Sequence, residues 1–335
     1  MKAIAFKHVG GPEVLELLEV PKPSPGRGEV TIAVRACALN LLDYYLRIEA
    51  DPEMPMPHIL GSDISGDIDA VGDGVTEWHV GDAVVVSAAI EVAGGRPKII
   101  GYQTQGGYAE FTAVPARNLA RKPASLSYEE ASSMPLVFAT AYHQMFTRGG
   151  VRCGDVVLVM GGSGGVGSAA IQICRAAGAY VIATVGDDAK REAVLALGAD
   201  RVVNHSGPQW TAEVLEMTMG RGVTLVCEHL GGGYVARCIE VLAHGGRLVT
   251  IGNTVGNEVQ LNLSEVFRKE VSILGSYMGS HEEFVAALAL VEMGRVRPIV
   301  NRVFKLEEAQ EAHRYLESRK HVGKIILKID RAVES

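Results

Sequence analysis

One glycine-rich segment, Gly162-Ser163-Gly164-Gly165-Val166-Gly167, has the residue types and spacing that indicate chemistry most directly. It fits the pattern G-x-G-x-x-G, follows an apolar run that is typical of a strand, and opens a helical pattern. Glycines there permit a tight turn and let the backbone approach a pyrophosphate, while the helix N-terminus supplies free N–H groups and a partial positive charge. The segment therefore predicts a dinucleotide-binding loop, in which we expect Gly162, Ser163, Gly164, Gly165, Val166 and Gly167 to contact the cofactor.

The residues after the second predicted strand bear on which dinucleotide is bound. An NAD-specific site usually carries Asp or Glu at the end of that strand to bind the ribose 2′-hydroxyl, and uncharged Val185 stands there. Lys190 and Arg191 follow at the start of the next helix, where they could meet a 2′-phosphate. Asp187 and Asp188 argue the other way, since either could cap that helix or reach the ribose. We therefore expect NADPH, with NADH as the less favoured cofactor.

The elements that must position this loop alternate between strand and helix over residues 134–276. Six strands read as apolar on both faces, which indicates a parallel sheet covered on both sides. Six strands in two halves is the Rossmann count, so we predict a doubly wound α/β domain. Residues 1–133 instead contain short β-like runs broken by Gly and Pro, which favour a barrel-like, mostly antiparallel β domain.

Composition narrows the class of protein. A chain of 335 residues favours two domains, and a net charge of −7 argues against a nucleic-acid partner. No span approaches the roughly 20 apolar residues that a transmembrane helix needs, so we expect no membrane partner and a cytoplasmic location. The five cysteines are scattered and never form C-x-x-C, which makes a disulfide framework an unfavourable interpretation.

Several segments, taken together and in order, resemble the medium-chain dehydrogenase/reductase superfamily and its zinc-free, NADPH:quinone oxidoreductase-like branch. The segments that carry the resemblance are the glycine loop, Asn40–Arg47, Gly61–Gly66, Val80–Val84, Gly106–Phe111 and Leu197–Asp200. The resemblance covers essentially the whole chain. It implies a GroES-like catalytic domain split between residues 1–133 and 277–335, a Rossmann domain over 134–276, an active-site cleft between the domains and a homodimer.

The chain departs from the zinc alcohol dehydrogenases of that superfamily at the metal ligands. Those enzymes carry Cys where this chain has Asn40, a His-Glu pair where it has Ser62-Asp63, and a third ligand near Leu136. Thiolate, imidazole and carboxylate bind a catalytic Zn²⁺, whereas Asn, Ser and Leu do not replace them. The resemblance thus implies no zinc and no metal ligands. A makeshift site using His58 and Asp63 stays open as an alternative.

Without a metal, the chemistry changes. Oxidation of an alcohol requires its hydroxyl to lose a proton, which a bound metal or strong base provides. We therefore expect a reduction and not an oxidation. In it, NADPH would transfer hydride to an electrophilic carbon of a quinone or an α,β-unsaturated carbonyl, such as an enone or enoyl thioester. Two alternatives remain: an alcohol dehydrogenase with an atypical metal site, and a non-catalytic NADPH-binding protein.

The resemblance also implies roles for individual residues near the reacting carbon. The Asn40–Arg47 segment is similar to the branch's active-site corner. There Asn40 would donate a hydrogen bond to the substrate carbonyl oxygen, and Tyr45 would donate a hydrogen bond or the final proton. Arg47 would pair with Asp43 and hold the corner.

Five further cofactor contacts follow from the same resemblance. Thr140 would lie near the nicotinamide, and His205 near the phosphate of the adenine ribose. Asn253 and Ser276 follow two predicted strands at their carboxyl ends, where ligands bind in such sheets. Lys324 would reach the pyrophosphate.

Overall fold

A computed structural model of the chain describes residues 1–49 and 51–330. The chain forms two compact units. The first comprises Met1–Leu136, Ser280–Leu288 and the residues from Pro298 onward, and the second comprises Val137–Gly279 and Ala289–Arg297. The predicted single return segment, 277–335, is therefore divided. Residues 289–297 belong to the second unit, where the Arg297 N–H donates to Gln172 Oε1 at 2.8 Å.

Strands and helices are numbered in chain order. The strands are β1 (Lys2–Ala5), β2 (Glu16–Glu19), β3 (Glu29–Ala38), β4 (Asp63–Val71), β5 (Ala83–Val86), β6 (Ala89–Ile90), β7 (Lys98–Ile99), β8 (Phe111–Pro115), β9 (Leu119–Arg121), β10 (Val156–Val159), β11 (Tyr180–Val185), β12 (Arg201–Asn204), β13 (Val223–Glu228), β14 (Leu242–Thr250), β15 (Ser272–Gly275), β16 (Val300–Lys305) and β17 (Lys324–Lys328). The helices are α1 (Leu41–Ile48), α2 (Tyr128–Ser132), α3 (Pro135–Tyr142), α4 (Gly165–Ala176), α5 (Arg191–Ala196), α6 (Trp210–Met217), α7 (Gly233–Glu240), α8 (Leu263–Arg268), α9 (His281–Glu292) and α10 (Ala309–Glu317). Among the residues that the structure describes, none of these helices is both long and apolar enough to span a membrane.

The second unit is built on a six-stranded parallel sheet. Its strand order is β12-β11-β10-β13-β14-β15, which is the 3-2-1-4-5-6 order of a doubly wound Rossmann fold. The strands are apolar on both faces because helices cover both sides, and the central side chains Leu158, Ile182, Val226 and Leu248 are fully buried. The prediction of a doubly wound parallel sheet is confirmed.

The first unit is built on a mostly antiparallel sheet. Its strand order is β16-β17-β3-β4-β5-β9, with β8 also paired to β3; β16 and β17 run parallel, and the other neighbouring pairs in the described sheet are antiparallel. The long strand β3 is the centre of this sheet. Its register with β4 places Ala38 opposite Asp63, and its register with β17 places Ala38 opposite Ile326. Consequently the end of β3, the start of β4 and the start of β17 lie side by side.

Helix α1 is anchored by a buried arginine. The Arg47 guanidinium is fully buried; Nε donates to His313 Nδ1 at 3.3 Å, Nη1 donates to the Gly10 carbonyl at 2.6 Å, and Nη2 pairs with Glu317. The predicted pairing of Arg47 with Asp43 is therefore wrong.

Asp43 has other donors. Its carboxylate accepts the backbone N–H of Asn40 at 2.7 Å and that of Gly61 at 3.2 Å, and it accepts the Tyr108 hydroxyl at 3.1 Å. Asp43 lies in the first turn of α1, where it accepts the N–H of the N-cap residue Asn40. Arg47 lies in the last turn and contacts α10. Burial raises the pKa of Asp43 to about 6, although these donors oppose that rise.

His313 is a neutral part of this network. Burial, and then the positive charge of Arg47, lower its pKa to about 3. Because Arg47 Nε–H donates to Nδ1, the ring proton is on Nε2, which lies 3.4 Å from the Tyr108 hydroxyl oxygen. A protonated ring could not accept the Arg47 hydrogen bond.

We predict that His313→Gln makes stability less sensitive to acid. Because the folded pKa of His313 is about 3 and lies below the ordinary 6.5, the unfolded chain binds a proton between these values that the folded chain does not. Stability is therefore lost as pH falls through that window, by about 1.4 kcal/mol per pH unit for this one group. Urea unfolding of wild type and His313→Gln at several pH values within the window measures the difference in slope. An exposed-site control, His8→Gln, should keep the wild-type slope, and identical slopes for wild type and His313→Gln would contradict the assignment.

Candidate active site

The glycine loop connects β10 to α4 and leaves no room for side chains at two positions. Gly161 N–H donates to Thr184 Oγ1 at 3.0 Å, and Gly162 N–H donates to the Thr184 carbonyl at 2.7 Å. A Cβ at Gly167 would lie 2.3 Å from the Gly161 carbonyl oxygen, and one at Gly162 would lie 3.0 Å from the Ala183 Cβ. These contacts hold the loop against β11 and the first turn of α4 against the loop.

The opposite side of the loop is open to a ligand. Gly164, Gly165 and Val166 are half-buried, and the nearest atom to a Cβ on Gly164 would be the Gly161 carbonyl oxygen at 3.5 Å. The first N–H groups of the twelve-residue helix α4 begin at this point. Backbone donors and the positive helix end fit the pyrophosphate of a dinucleotide.

The predicted adenine-side residues lie around the ends of β11 and β12. Val185 is fully buried, and its carbonyl accepts the His205 N–H at 2.9 Å. His205 Nδ1 lies 2.8 Å from Thr184 Oγ1, which also accepts the Gly161 N–H at 3.0 Å. Burial, followed by the positive charge of Lys190, lowers the pKa of His205 to about 4. His205 is therefore neutral near pH 7.

The two predicted cations differ in their surroundings. Arg191 donates to Asp188 at 2.8 Å and to the Val202 carbonyl, so its guanidinium is already held in place. Asp187 accepts the Ala189 N–H at 3.0 Å and caps the short 3₁₀ helix before α5, as one of the two predicted alternatives for this residue. Lys190 is half-buried beside them.

Two buried hydroxyls belong to the part of the second unit near β15, the edge strand opposite β12. Thr140 Oγ1 on α3 and Ser276 Oγ after β15 are buried and have no hydrogen-bond partner among the described residues. Ser276 N–H donates to the Thr250 carbonyl at 2.9 Å, and a Cβ on Gly279 would lie 2.3 Å from the Ala139 carbonyl oxygen. The segment after β15 therefore packs on the turn of α3 that carries Thr140. Because buried polar atoms are normally paired, a bound polar group fits here.

Two predicted residues occupy more open positions. Asn253 is exposed in the loop after β14, where its side-chain amide donates to Asn257. Tyr45 is half-buried on α1, and its ring contacts the Tyr44 ring edge-on with a centroid distance of 5.3 Å.

Asn40 belongs to a buried cluster of three polar side chains. Its Nδ2 donates to Asp63 Oδ2 at 2.9 Å, and its Oδ1 accepts a hydrogen bond from Lys324 Nζ. Lys324 Nζ also lies 3.0 Å from Asp63 Oδ2. Asn40 and Lys324 are each 5% exposed and Asp63 is fully buried. We call these three residues the Asn40 cluster.

The Asn40 cluster does not fit a catalytic Zn²⁺. At the positions where zinc relatives carry ligands, the Asn40 amide bonds an ammonium and a carboxylate, and Leu136 contributes a backbone N–H to Asp63 Oδ1 at 2.7 Å. An ammonium in contact with the one carboxylate repels a divalent cation, and neither an amide nor a serine hydroxyl replaces a thiolate or imidazole. The mechanism that we propose for this protein therefore uses no metal.

The open alternative of a His58 and Asp63 metal site finds no support in the side-chain partners. His58 Nε2 lies 3.0 Å from the Gly101 carbonyl oxygen, and the ring packs edge-on against Phe6. Burial lowers the pKa of His58. Across residues 1–49 and 51–330, no group of three or more His, Cys, Asp or Glu side chains could hold a metal ion.

Sequence reasoning missed two features of these sites. Lys324 lies in the Asn40 cluster, and its assignment to the cofactor pyrophosphate stays a prediction. Thr184 joins the glycine loop to His205, and the signal that could have found it is a buried hydroxyl in the otherwise apolar strand β11.

Two family models together match most of the chain. Residues 26–124 match the family model of the alcohol dehydrogenase GroES-like domain, and residues 165–293 match that of the zinc-binding dehydrogenases. These matches confirm the predicted pairing of a GroES-like domain with a Rossmann-type α/β domain.

Individual relatives are similar over nearly their full lengths. Quinone oxidoreductase from Homo sapiens is 32% identical over 321 residues, 93% of each chain. A solved NAD-dependent alcohol dehydrogenase is 42% identical with a TM-score of 0.95, over 98% of this chain and 100% of that one. A crotonyl-CoA carboxylase/reductase solved in complex with NADP is 26% identical with a TM-score of 0.92, over 99% of this chain and 95% of that one. With the glycine loop, the strand order and these full-length similarities, the chain belongs to the medium-chain dehydrogenase/reductase superfamily, in its quinone oxidoreductase-like branch, and is an oxidoreductase of the pyridine-nucleotide-dependent type.

Proposed function

We propose that the protein reduces a quinone or an α,β-unsaturated carbonyl compound, an enone or enoyl thioester, by hydride transfer from NADPH without zinc. The observation that carries this proposal is the Asn40 cluster, which presents hydrogen-bond donors where zinc alcohol dehydrogenases present metal ligands. The names of the quinone oxidoreductase and crotonyl-CoA carboxylase/reductase relatives support the same two substrate classes.

Donors without a metal suit reduction better than alcohol oxidation. When hydride adds to an electrophilic carbon, negative charge grows on the conjugated oxygen, and fixed donors stabilise it there. Oxidation of an alcohol needs a group that removes the hydroxyl proton, and the Asn40 cluster contains no unpaired base. The Asn40 amide is the donor that we assign to the substrate oxygen.

Tyr45 has the second role. Reduction of an enone consumes one hydride and one proton, and the proton must reach the carbon next to the carbonyl after the enolate forms. We assign that proton to Tyr45, a half-buried phenol at the fifth position of α1, the helix for which Asn40 is the N-cap.

The nucleotide would lie along the carboxyl edge of the Rossmann sheet. The glycine loop would hold the pyrophosphate, and the unpartnered hydroxyls of Thr140 and Ser276 would bind the nicotinamide carboxamide. When bound, the nicotinamide supplies the hydride. We assign the 2′-phosphate to the cation Lys190 and to neutral His205, which lie around the ends of β11 and β12. This assignment favours NADPH over NADH.

We predict that Tyr45→Phe lowers kcat for enone reduction by about 100-fold, because it removes the proton donor while leaving the ring in place. The KM for NADPH should be unchanged. The measurement follows NADPH oxidation with a simple benzoquinone and an unsaturated ketone, and wild type should oxidise NADPH more efficiently than NADH. Tyr44→Phe, one residue earlier on the same helix, is the matched control and should retain wild-type turnover.

Each alternative function has its own signature in these assays. Unchanged turnover of Tyr45→Phe removes Tyr45 from the mechanism. Oxidation of alcohols by NAD⁺ without reduction of either acceptor would favour the alcohol dehydrogenase alternative. Tight NADPH binding without turnover on any acceptor would favour the non-catalytic one.

We further propose that the protein is a homodimer joined through the edge of the Rossmann sheet. Strand β15 is the edge strand, and its Ile273 side chain is 42% exposed. In the preceding helix α8, Leu263 is 70% exposed and Phe267 is 64% exposed. An apolar surface beside unpaired strand N–H and C=O groups is a pairing surface for a second copy.

Ile273→Lys tests the dimer, because a lysine on an edge strand opposes strand pairing. Wild type should sediment at twice the mass of the 35.7 kDa chain, and Ile273→Lys should shift toward the single-chain mass. Val80→Lys places the same charge at another exposed apolar site and should leave the mass unchanged. A monomeric wild type would overturn the dimer proposal.

A further inference from the structure

The Asn40 cluster contains two charged residues, Asp63 and Lys324, that have no role in the hydride and proton transfers proposed for this protein. We propose that Asp63 and Lys324 are positioning residues that fix which way the Asn40 carboxamide faces, so that one N–H is always presented as the donor for the substrate oxygen. This inference rests on the proposed function, in which Asn40 is that donor.

The orientation follows from donor and acceptor chemistry. A carboxamide can rotate by half a turn and exchange its oxygen with its NH₂ group at almost no change in shape, so shape alone does not orient it. An ammonium only donates hydrogen bonds, and a carboxylate only accepts them. Asn40 Oδ1 must therefore face Lys324, and Nδ2 must face Asp63, as found. The rotated amide would face both charges with the wrong group.

The two charges are themselves held in place. Asp63 Oδ1 accepts the Leu136 N–H at 2.7 Å, and Asp63 Oδ2 is shared by Asn40 Nδ2 at 2.9 Å and Lys324 Nζ at 3.0 Å. Both side chains are almost completely buried, so water competes little for these bonds. The carboxylate therefore cannot turn away without losing three donors.

The backbone brings the cluster together at one end of the antiparallel sheet. Asp63 begins β4 and Lys324 begins β17, and both strands pair with β3, which ends two residues before Asn40. Leu39 N–H also donates to the Ile325 carbonyl at 2.8 Å. The three side chains therefore lie at the ends of neighbouring strands, where strand register sets their spacing.

The Asn40 amide then has one hydrogen to spare. Nδ2 carries two hydrogens, and within the described part of the chain its acceptor is Asp63. The Asn40 backbone N–H is separately bound by Asp43 at 2.7 Å, which fixes the start of the side chain. A single, pre-oriented N–H is what a developing oxyanion needs, since no reorganisation occurs as charge forms.

The test replaces both charges with neutral amides, in the double variant Asp63→Asn/Lys324→Gln. Each new side chain can donate or accept, so neither dictates the orientation of Asn40, and no buried charge is left unpaired to unfold the protein. We expect kcat with quinone or enone, measured at saturating NADPH, to fall by about 10- to 100-fold. The matched control is Asp69→Asn/Lys22→Gln, which removes a partly exposed 2.7 Å ion pair on the same unit and should leave kcat at the wild-type value.

A double-mutant cycle with Asn40→Ala separates positioning from a direct role. If Asp63 and Lys324 act through Asn40, their replacement should cause no further loss of kcat in the Asn40→Ala background. An equal loss in both backgrounds, or no loss in the wild-type background, would overturn the proposal.

A second readout does not depend on activity. In protein carrying ¹⁵N-labelled asparagine, the side-chain NH₂ signals of Asn40 are identified by their disappearance in Asn40→Ala. We expect one proton of wild-type Asn40 to exchange slowly with solvent and to lose that protection in the double variant, while equal, rapid exchange of both protons in wild type would overturn the inference. If wild type reduces neither acceptor, the proposed function fails, and this readout still decides whether the charges orient Asn40.

Discussion

The Lys324 ammonium lies 3.0 Å from the Asp63 carboxylate, and both side chains are almost completely removed from water. Taking two charges out of water is costly, and their attraction offsets the cost only when the geometry is close and the remaining donors and acceptors are satisfied. Asn40 and the Leu136 N–H supply those additional bonds. The register of β3, β4 and β17 must therefore bring these groups within hydrogen-bond distance for the first unit to tolerate this pair.

The same requirement extends along α1. Asp43 and Arg47 are also fully buried, and each is satisfied by at least three partners drawn from separate parts of the chain. Tyr108 and His313 join them, because the Tyr108 hydroxyl lies near both Asp43 and His313. The helix that carries Tyr45 is thus fixed at its first and last turns by buried hydrogen bonds, and the proposed catalytic corner is built on a rigid support.

Features encoded locally were predictable from the sequence. The glycine loop, the apolar strands and the helical periodicity of α4 each depend on neighbouring residues, and together they predicted a doubly wound, six-stranded parallel sheet. Partners distant in the sequence were not predictable. Lys324 is 284 residues from Asn40, and Arg47 is 266 residues from His313, so no spacing rule connects them. The resemblance implied an Arg47–Asp43 pair, and long-range packing of Arg47 against α10 overrode it. The role of Thr184 was not predictable, because its hydroxyl contacts the Gly161 N–H and the His205 ring, and the strand pattern does not indicate either contact.

In the mechanism that we propose, a fixed amide and a buried ion pair replace the metal at this corner of the fold. The most direct measurement is NADPH oxidation with a benzoquinone, before and after exhaustive dialysis against EDTA, with the zinc content of both samples determined. We expect unchanged turnover and no stoichiometric zinc in either sample. Turnover that is lost on chelation and restored by Zn²⁺ would contradict it, and would mean that the roles given to Asn40, Asp63 and Lys324 are wrong.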